Sequence, residues 1–145
     1  MSMKPPAMAS LLAGAALILT ACGTAATADP PPATIVPVAG SQIPRLELTS
    51  AAIQRLGIAT QPVRPAPASD TREVIPYSAV VYDTDGSTWS FVNTAARTYT
   101  REPITVKAIS GDVVLLSAGP PVGALVVTVG SAELLGTEYN ISGEE

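Results

Sequence analysis

Short β-rich runs separated by turn sequences fill the second half of the chain, and they constrain its fold more than any other feature. An Asp-Gly pair, Asp85-Gly86, stands between the first two runs, and such a pair between β-rich segments indicates a hairpin turn. Several short strands with regular breaks predict a mainly β domain, either a small antiparallel barrel or a sandwich. The predicted strands are Val74–Tyr82, Ser87–Val92, Thr98–Ile109, Val113–Leu116 and Leu125–Val129.

A strand-helix-strand unit is predicted ahead of these runs. Leu46–Leu48 alternates like a short strand, and either residue of Thr49-Ser50 can cap a helical turn over Ala51–Arg55. Gly57 suits the left-handed residue that ends a helix, and Ile58–Gln61 then returns to extended structure. Near the other end of the chain, one further helical turn is predicted at Ala132–Leu135.

The single cysteine of the chain, Cys22, follows an apolar run. Because the chain has one cysteine and no histidine, a disulfide within the chain, a Cys/His metal site and a Cys/His catalytic pair are all excluded. The positive Lys4 and the uncharged stretch Leu11–Leu19 precede it, and this arrangement is typical of a secretory signal. The alternative is an uncleaved membrane span from about Ala7 to Ala28, and both interpretations place the rest of the chain outside the cytoplasm.

The residues Leu19-Thr20-Ala21-Cys22 resemble the bacterial lipobox. That resemblance implies cleavage before Cys22, a diacylglyceryl thioether on its sulfur, and export to the periplasmic side of the cell membrane or the outer membrane. Residues 1–21 are then a lipoprotein signal peptide, and the Pro/Ala-rich residues 22–42 are a tether. A single β domain follows at 43–141, built from 43–63 and 74–141 with a linker at 64–73, and 142–145 form a tail.

The composition of the mature chain excludes several function classes. Removing residues 1–21 leaves 7 basic and 12 acidic side chains, a net charge of 7 − 12 = −5. An acidic chain without a Lys/Arg cluster has no basis for nucleic-acid binding, and attachment to a membrane must come from acyl chains. All three methionines lie in the predicted signal peptide, so thioether, thiolate and imidazole metal sites are excluded and no cofactor is expected.

No residue pattern indicates catalysis. Asp83 and Asp85 begin like a calcium loop, but the later ligand positions of such a loop are not filled. Ser78 and Ser117 have no histidine to serve as base, and Lys107 lies on an alternating strand with a solvated face. We therefore expect the protein not to be an enzyme.

Two arginines near an aromatic residue are candidates for partner contact. Arg97 and Arg101 flank Tyr99, and together they are expected to form a local positive face beside exposed aromatics. Such a face can contact a partner protein, or it can simply keep an edge strand soluble.

Two blocks of the sequence resemble periplasmic adaptor subunits of RND-type efflux pumps, the membrane fusion proteins of the HlyD type, and the heavy-metal-resistance branch is the most similar. Leu46–Val63 is similar to the start of their mature region, and Ile75–Val80 to their "vP.sAv" pattern. Further matches to their C-terminal end are Gly86, Trp89, Phe91, Val92, Gly119, Gly123, Val126-Val127, Gly130 and Leu134.

In that family the two blocks meet in space as the membrane-proximal domain, although lipoyl halves, a helical hairpin and a β-barrel separate them in sequence. Here only Arg64–Arg72 lies between them. The resemblance therefore implies a lone membrane-proximal domain, in which the N-terminal strands pair with the C-terminal sheet and which docks on an efflux or export transporter. An envelope lipoprotein with a structural or ligand-binding role, or a remnant without function, are the alternatives.

Overall fold

The structure is a computed structural model, and it describes Met1, Met3, residues 29–67 and residues 73–139. Helix α1 is Ser50–Leu56 and α2 is Ser131–Glu138, and Tyr77–Ala79 form a short 3-10 helix. The strands are β1 Ala33–Val36, β2 Arg45–Leu48, β3 Ala59–Pro62, β4 Arg64–Pro65, β5 Glu73–Pro76, β6 Val81–Tyr82, β7 Thr88–Ala95, β8 Thr98–Pro103, β9 Thr105–Ser110, β10 Val113–Ala118 and β11 Leu125–Val129.

The strands form two antiparallel sheets that do not close into a barrel. The larger sheet has the order β1-β2-β8-β7-β11-β3, with β6 also paired to β7, and the smaller sheet has the order β4-β5-β10-β9. The prediction of a mainly β antiparallel fold with short helices is confirmed, and of the two predicted architectures the structure is consistent with the sandwich.

Both faces of the larger sheet are buried. Along β7, Phe91 and Val92 are 0% and 5% exposed and point into different cores, as the alternation of side chains in a strand requires. The first core lies between this sheet and the two helices, and contains Leu46, Leu48, Ala52, Val81, Phe91, Tyr99, Val127 and Leu134. The second core lies largely between the two sheets, and contains Val63, Ile75, Ala79, Val92, Ile104, Val114, Leu116 and Val126.

The predicted pairing of the N-terminal strands with the C-terminal sheet is present in the structure. Strand β2 pairs with β8, and β3 pairs with β11. Helix α1 connects β2 and β3, and the local signals for it are confirmed. Thr49 Oγ1 accepts a hydrogen bond from the amide of Ala52 at 3.1 Å, and Gly57 ends the helix at φ 63°.

The Asp-Gly signal between the first two predicted strands is also confirmed as a hairpin turn. The amide of Gly86 donates to the carbonyl of Asp83 at 2.9 Å, and Gly86 has φ 83°. Strands β6 and β7 pair on either side of this turn.

The predicted single strand Thr98–Ile109 is two strands in two different sheets. Strand β8 ends at Pro103, and β9 pairs with β10 in the smaller sheet. Between them Ile104 is 5% exposed in the second core, and its amide donates to the carbonyl of Thr88 at 3.0 Å. Burial of Ile104 between the sheets turns the chain from one sheet into the other.

The tether and linker boundaries also differ from expectation. Residues 33–36, within the predicted tether, form β1 on the edge of β2, with Ile35 opposite Leu46. The tether composition cannot form a core by itself, but three consecutive β-branched residues, Thr34 to Val36, pair with an existing strand. Within the predicted linker, Arg64 pairs with Val74, and Ala66 is buried. Helix α2 is also longer than the predicted Ala132–Leu135.

We predict that Gly130→Ala destabilises the domain more than Gly123→Ala. Both glycines have φ near 90°, but a Cβ on Gly130 would meet Ile58 Cδ1, whereas one on Gly123 would meet open space. The left-handed backbone costs about 1–2 kcal/mol in either variant, and displacing the Cδ1 end of the Ile58 side chain from its rotamer adds about 0.5–1.5 kcal/mol at Gly130 alone. Denaturant unfolding of both variants measures the difference, and equal losses would contradict the close packing of the β11–α2 turn against Ile58.

Candidate functional site

The predicted site residues do not lie together in one exposed surface. Cys22, the predicted lipid-attachment residue, lies outside the described residues. Arg97 is exposed, in the turn between β7 and β8. Tyr99 is 5% exposed and Arg101 6% exposed, so the expectation of an exposed positive face is wrong for these two residues. Contact of Arg97 with a partner stays a prediction.

Tyr99 is buried because it points from β8 into the helix-side core. It packs with residues such as Leu46 and Phe91, and burial raises the pKa of its hydroxyl. Arg101 lies two residues further along β8, on the same face of the strand. Its guanidinium therefore also points toward the helix layer, where a buried charge needs partners.

Two carboxylates compensate the buried Arg101. Its Nη1 lies 2.5 Å from Asp83 Oδ2, at the start of the β6–β7 turn, and its Nη2 lies 2.8 Å from Glu138 Oε1, at the end of α2. The Tyr139 hydroxyl donates to Asp83 Oδ1 at 2.5 Å. We call Asp83, Trp89, Arg101, Glu138 and Tyr139 the Arg101 cluster.

Two aromatic rings lie against the Arg101 guanidinium. Its central carbon lies 4.3 Å from the centre of the Trp89 ring and 5.5 Å from that of Tyr139. Such cation–π contacts strengthen when water is excluded. The Trp89 indole N–H donates to Ser87 Oγ at 2.7 Å, so this ring is also fixed to the β6–β7 turn.

The electrostatics of the Arg101 cluster shift its two carboxyl groups in opposite directions. The hydrogen bonds from Tyr139 and Arg101 lower the pKa of Asp83 to about 2. Burial raises the pKa of Glu138, and the nearby guanidinium of Arg101 opposes that shift. Glu138 Oε2 and Arg101 Nε are buried without a hydrogen-bond partner among the described residues.

The geometry gives the Arg101 cluster a structural role. It joins β8, the β6–β7 turn and the C-terminal end of α2, and a cation is favourable at a helix C-terminus. Its carboxylate oxygens are mostly engaged with Arg101, Tyr139 and the amide of Thr84. The cluster therefore holds α2 on the sheet and presents little that could act on a ligand.

Sequence reasoning missed the partners of Arg101. The local sequence indicates Asp83 only as a turn or cation-loop residue, and Glu138 and Tyr139 are distant from Arg101 in sequence. One signal was available: Arg101 follows Tyr99 by two residues on a strand, so a buried aromatic at 99 implies a buried arginine that needs an acid.

The exposed Arg97 belongs to a different part of the domain. Its Nη1 donates to Ser50 Oγ at 3.2 Å, and its backbone has φ 59°, which is uncommon outside glycine. Arg97 lines a cleft of about 300 Å³ with Pro30, Pro31 and Glu47. We call this end of the domain the N-terminal pole, and define it as Pro30–Pro32, Thr49–Arg55 and Ala96–Thr98.

A polar groove of about 500 Å³ lies at the end of the smaller sheet. Arg64 and Asp112 supply opposite charges, and Gln61 and Ser78 add uncharged polar groups. Tyr77 also lines the groove and is 44% exposed, and its hydrogen bond raises the pKa of Tyr82. This is a concave surface with hydrogen-bonding groups and an accessible aromatic ring.

Within the described part of the chain, no group of three or more acidic, histidine or cysteine side chains could hold a metal ion. In the same residues, neither helix has the length and apolar character that crossing a bilayer requires. Comparison of the chain with protein-family models, with curated proteins and with solved structures finds no match.

We predict that Asp83→Asn reduces the loss of stability in acid. Because the pKa of Asp83 is about 2 in the folded protein and about 3.9 in unfolded chains, its stabilisation is present above about pH 4 and is lost as the pH falls toward 2. The unfolding midpoint of the variant should therefore fall less steeply between pH 4 and 2. Some fall remains, because hydrogen bonds from Ser87 also lower the pKa of Asp85.

Glu138→Gln is the matched control for this experiment. Burial raises the pKa of Glu138, so its favourable contribution is present at low pH and is lost as the pH rises through the folded-state pKa. The unfolding midpoint of this variant should therefore fall between pH 4 and 2 as steeply as that of the wild type. An unchanged acid slope in Asp83→Asn would contradict the bonding of Asp83 to Tyr139 and Arg101.

Proposed function

We propose that the protein is a lipid-anchored extracytoplasmic subunit, an accessory or reduced adaptor, that docks on an efflux or export transporter. The observation that carries the proposal is the motif Leu19-Thr20-Ala21-Cys22 directly after an uncharged apolar run. The anchor confines the domain to the membrane surface, where a high local concentration replaces part of the intrinsic affinity for a membrane partner.

The arrangement of the β domain supports the adaptor part of the proposal. The two sequence blocks that resemble adaptor subunits are adjacent in the fold, because β2 and β3 pair with β8 and β11. Docking on the transporter, rather than bridging to an outer-membrane duct, is the role proposed for this domain. The protein acts by binding, and we propose that it is not an enzyme.

We predict that Cys22→Ser abolishes membrane anchoring. Without the thiol no thioether lipid forms, so the variant should lose acylation and leave the membrane fraction. The amount of transporter subunit captured by crosslinking should be lower than with the wild type by a factor of about 10² or more. The reason is that the variant loses the high effective concentration that the anchor provides. Mass spectrometry of the N-terminal peptide, fractionation and quantitative capture measure the three effects.

Thr24→Ser is the control, since it changes a neighbouring hydroxyl residue and leaves the motif intact. It should behave like the wild type. A wild-type protein whose N-terminal peptide retains the residues before Cys22 and carries no lipid would indicate an uncleaved span. A wild-type protein that is acylated but captures no transporter would refute the transporter part of the proposal.

A second candidate is a cell-envelope lipoprotein that binds a ligand and has no transporter partner. The polar groove described above favours it, because Arg64, Asp112 and the exposed ring of Tyr77 offer the hydrogen bonds and stacking surface that a saccharide needs. Binding of soluble glycan fragments that is lost in Tyr77→Ala and retained in Val122→Ala would favour this candidate. Val122 serves as the control because it is exposed and does not line the groove.

A further inference from the structure

The path of the N-terminal segment determines which end of the domain meets the membrane. We propose that the N-terminal pole faces the bilayer and contacts the extracytoplasmic surface of an integral membrane protein close to the membrane. The proposal rests on the lipid anchor at Cys22 in the proposed function, and adds the contact surface and its distance from the bilayer.

The pairing of β1 with β2 shortens the tether. Four residue pairs join the two strands, and the amide of Thr49 donates to the carbonyl of Pro32 at 3.0 Å. The chain is therefore fixed to the domain from Pro32 onward. The predicted tether, residues 22–42, would have allowed a much greater separation between the anchor and the domain.

The remaining length sets an upper limit on the distance. From Cys22 to Pro32 there are 32 − 22 = 10 residue steps, which span at most about 36 Å when fully extended. Pro32 thus stays within about that distance of the acyl-bearing residue. A partner that contacts the domain near Pro32 must therefore present its surface at a similar distance from the acyl-bearing residue.

The same attachment point orients the domain. Pro30 and Pro31 line a cleft with Arg97 and Ser50, and they line another with Thr49 and Arg55. The chain therefore leaves the domain beside the β7–β8 turn, at the N-terminal pole. The β6–β7 turn lies at the other end of β7, about 23 Å away for the seven steps from Thr88 to Ala95.

The charges of the N-terminal pole fit a protein surface better than anionic lipid. Arg55 and Arg97 are balanced nearby by Asp29 and Glu47, which line the same two clefts. Binding to anionic headgroups needs an excess of positive charge, and the mature chain has a net charge of −5. Mixed charges and polar groups match the extramembrane loops of a membrane protein.

The test is photocrosslinking in intact membranes from two positions of the full chain. A photoreactive residue replaces Ala96, exposed in the N-terminal pole, or Thr84, exposed in the β6–β7 turn. We expect the Ala96 position to crosslink an integral membrane protein, identified by mass, at least tenfold more than the Thr84 position.

Tether length gives a second, independent measurement. Inserting 20 Gly/Ser residues between Thr27 and Ala28 lengthens the path from Cys22 to Pro32 from 10 to 30 residue steps. Effective concentration falls roughly as the −3/2 power of length, about fivefold here. Crosslinking from Ala96 should fall by about that factor. An inserted segment of the same composition placed after Glu145 is the control and should have no effect.

The outcomes separate this inference from the proposed function. Equal or stronger crosslinking of the same membrane protein from Thr84, or no dependence on tether length, would overturn the orientation and leave transporter docking intact. Crosslinks from Ala96 to lipid alone would overturn the choice of partner. An acylated protein that crosslinks no integral membrane protein from either position would refute both.

Discussion

The alternation of Phe91 and Val92 on β7 places one apolar residue on each face of the larger sheet, and the rest of the structure follows from covering both faces. The two helices cover the side of Phe91, and the smaller sheet covers the side of Val92. At Ile104 the chain crosses from one sheet to the other within a few residues. The Arg101 cluster then closes the helix side, because a buried guanidinium with two carboxylates fixes the end of α2 to the sheet.

The edge strand β1 connects this architecture to the proposed function. A strand at the edge of a sheet has backbone groups available for pairing, and β2 uses them to bind the N-terminal segment. A segment that would otherwise be a long flexible tether thus becomes part of the domain. With a lipid at Cys22, the fold itself would determine the height and the orientation of the domain above the bilayer.

Local signals in the sequence predicted much of the fold. Thr49 and Gly57 gave the limits of α1, and Asp85-Gly86 gave the β6–β7 turn. These features depend on neighbouring residues, so the sequence contains them directly. The strand at Ala33–Val36 and the break at Ile104 depend on a partner strand and on a second sheet, which no local pattern reveals.

The same reason explains the error at Arg101: its environment is made by Asp83 and Glu138, from two distant parts of the chain. The lipobox prediction for Cys22 rests on the sequence alone.

The proposed orientation can be measured as the height of each end of the domain above a bilayer. Ala96→Cys and Thr84→Cys, each in the full chain, supply one free thiol for a fluorescent donor, because Cys22 is the only native cysteine and carries the lipid in the proposed function. In vesicles with acceptor-labelled headgroups, we expect more efficient energy transfer from position 96 than from position 84, because the N-terminal pole faces the bilayer in the proposed orientation. Equal transfer from both positions, or greater transfer from position 84, would contradict it.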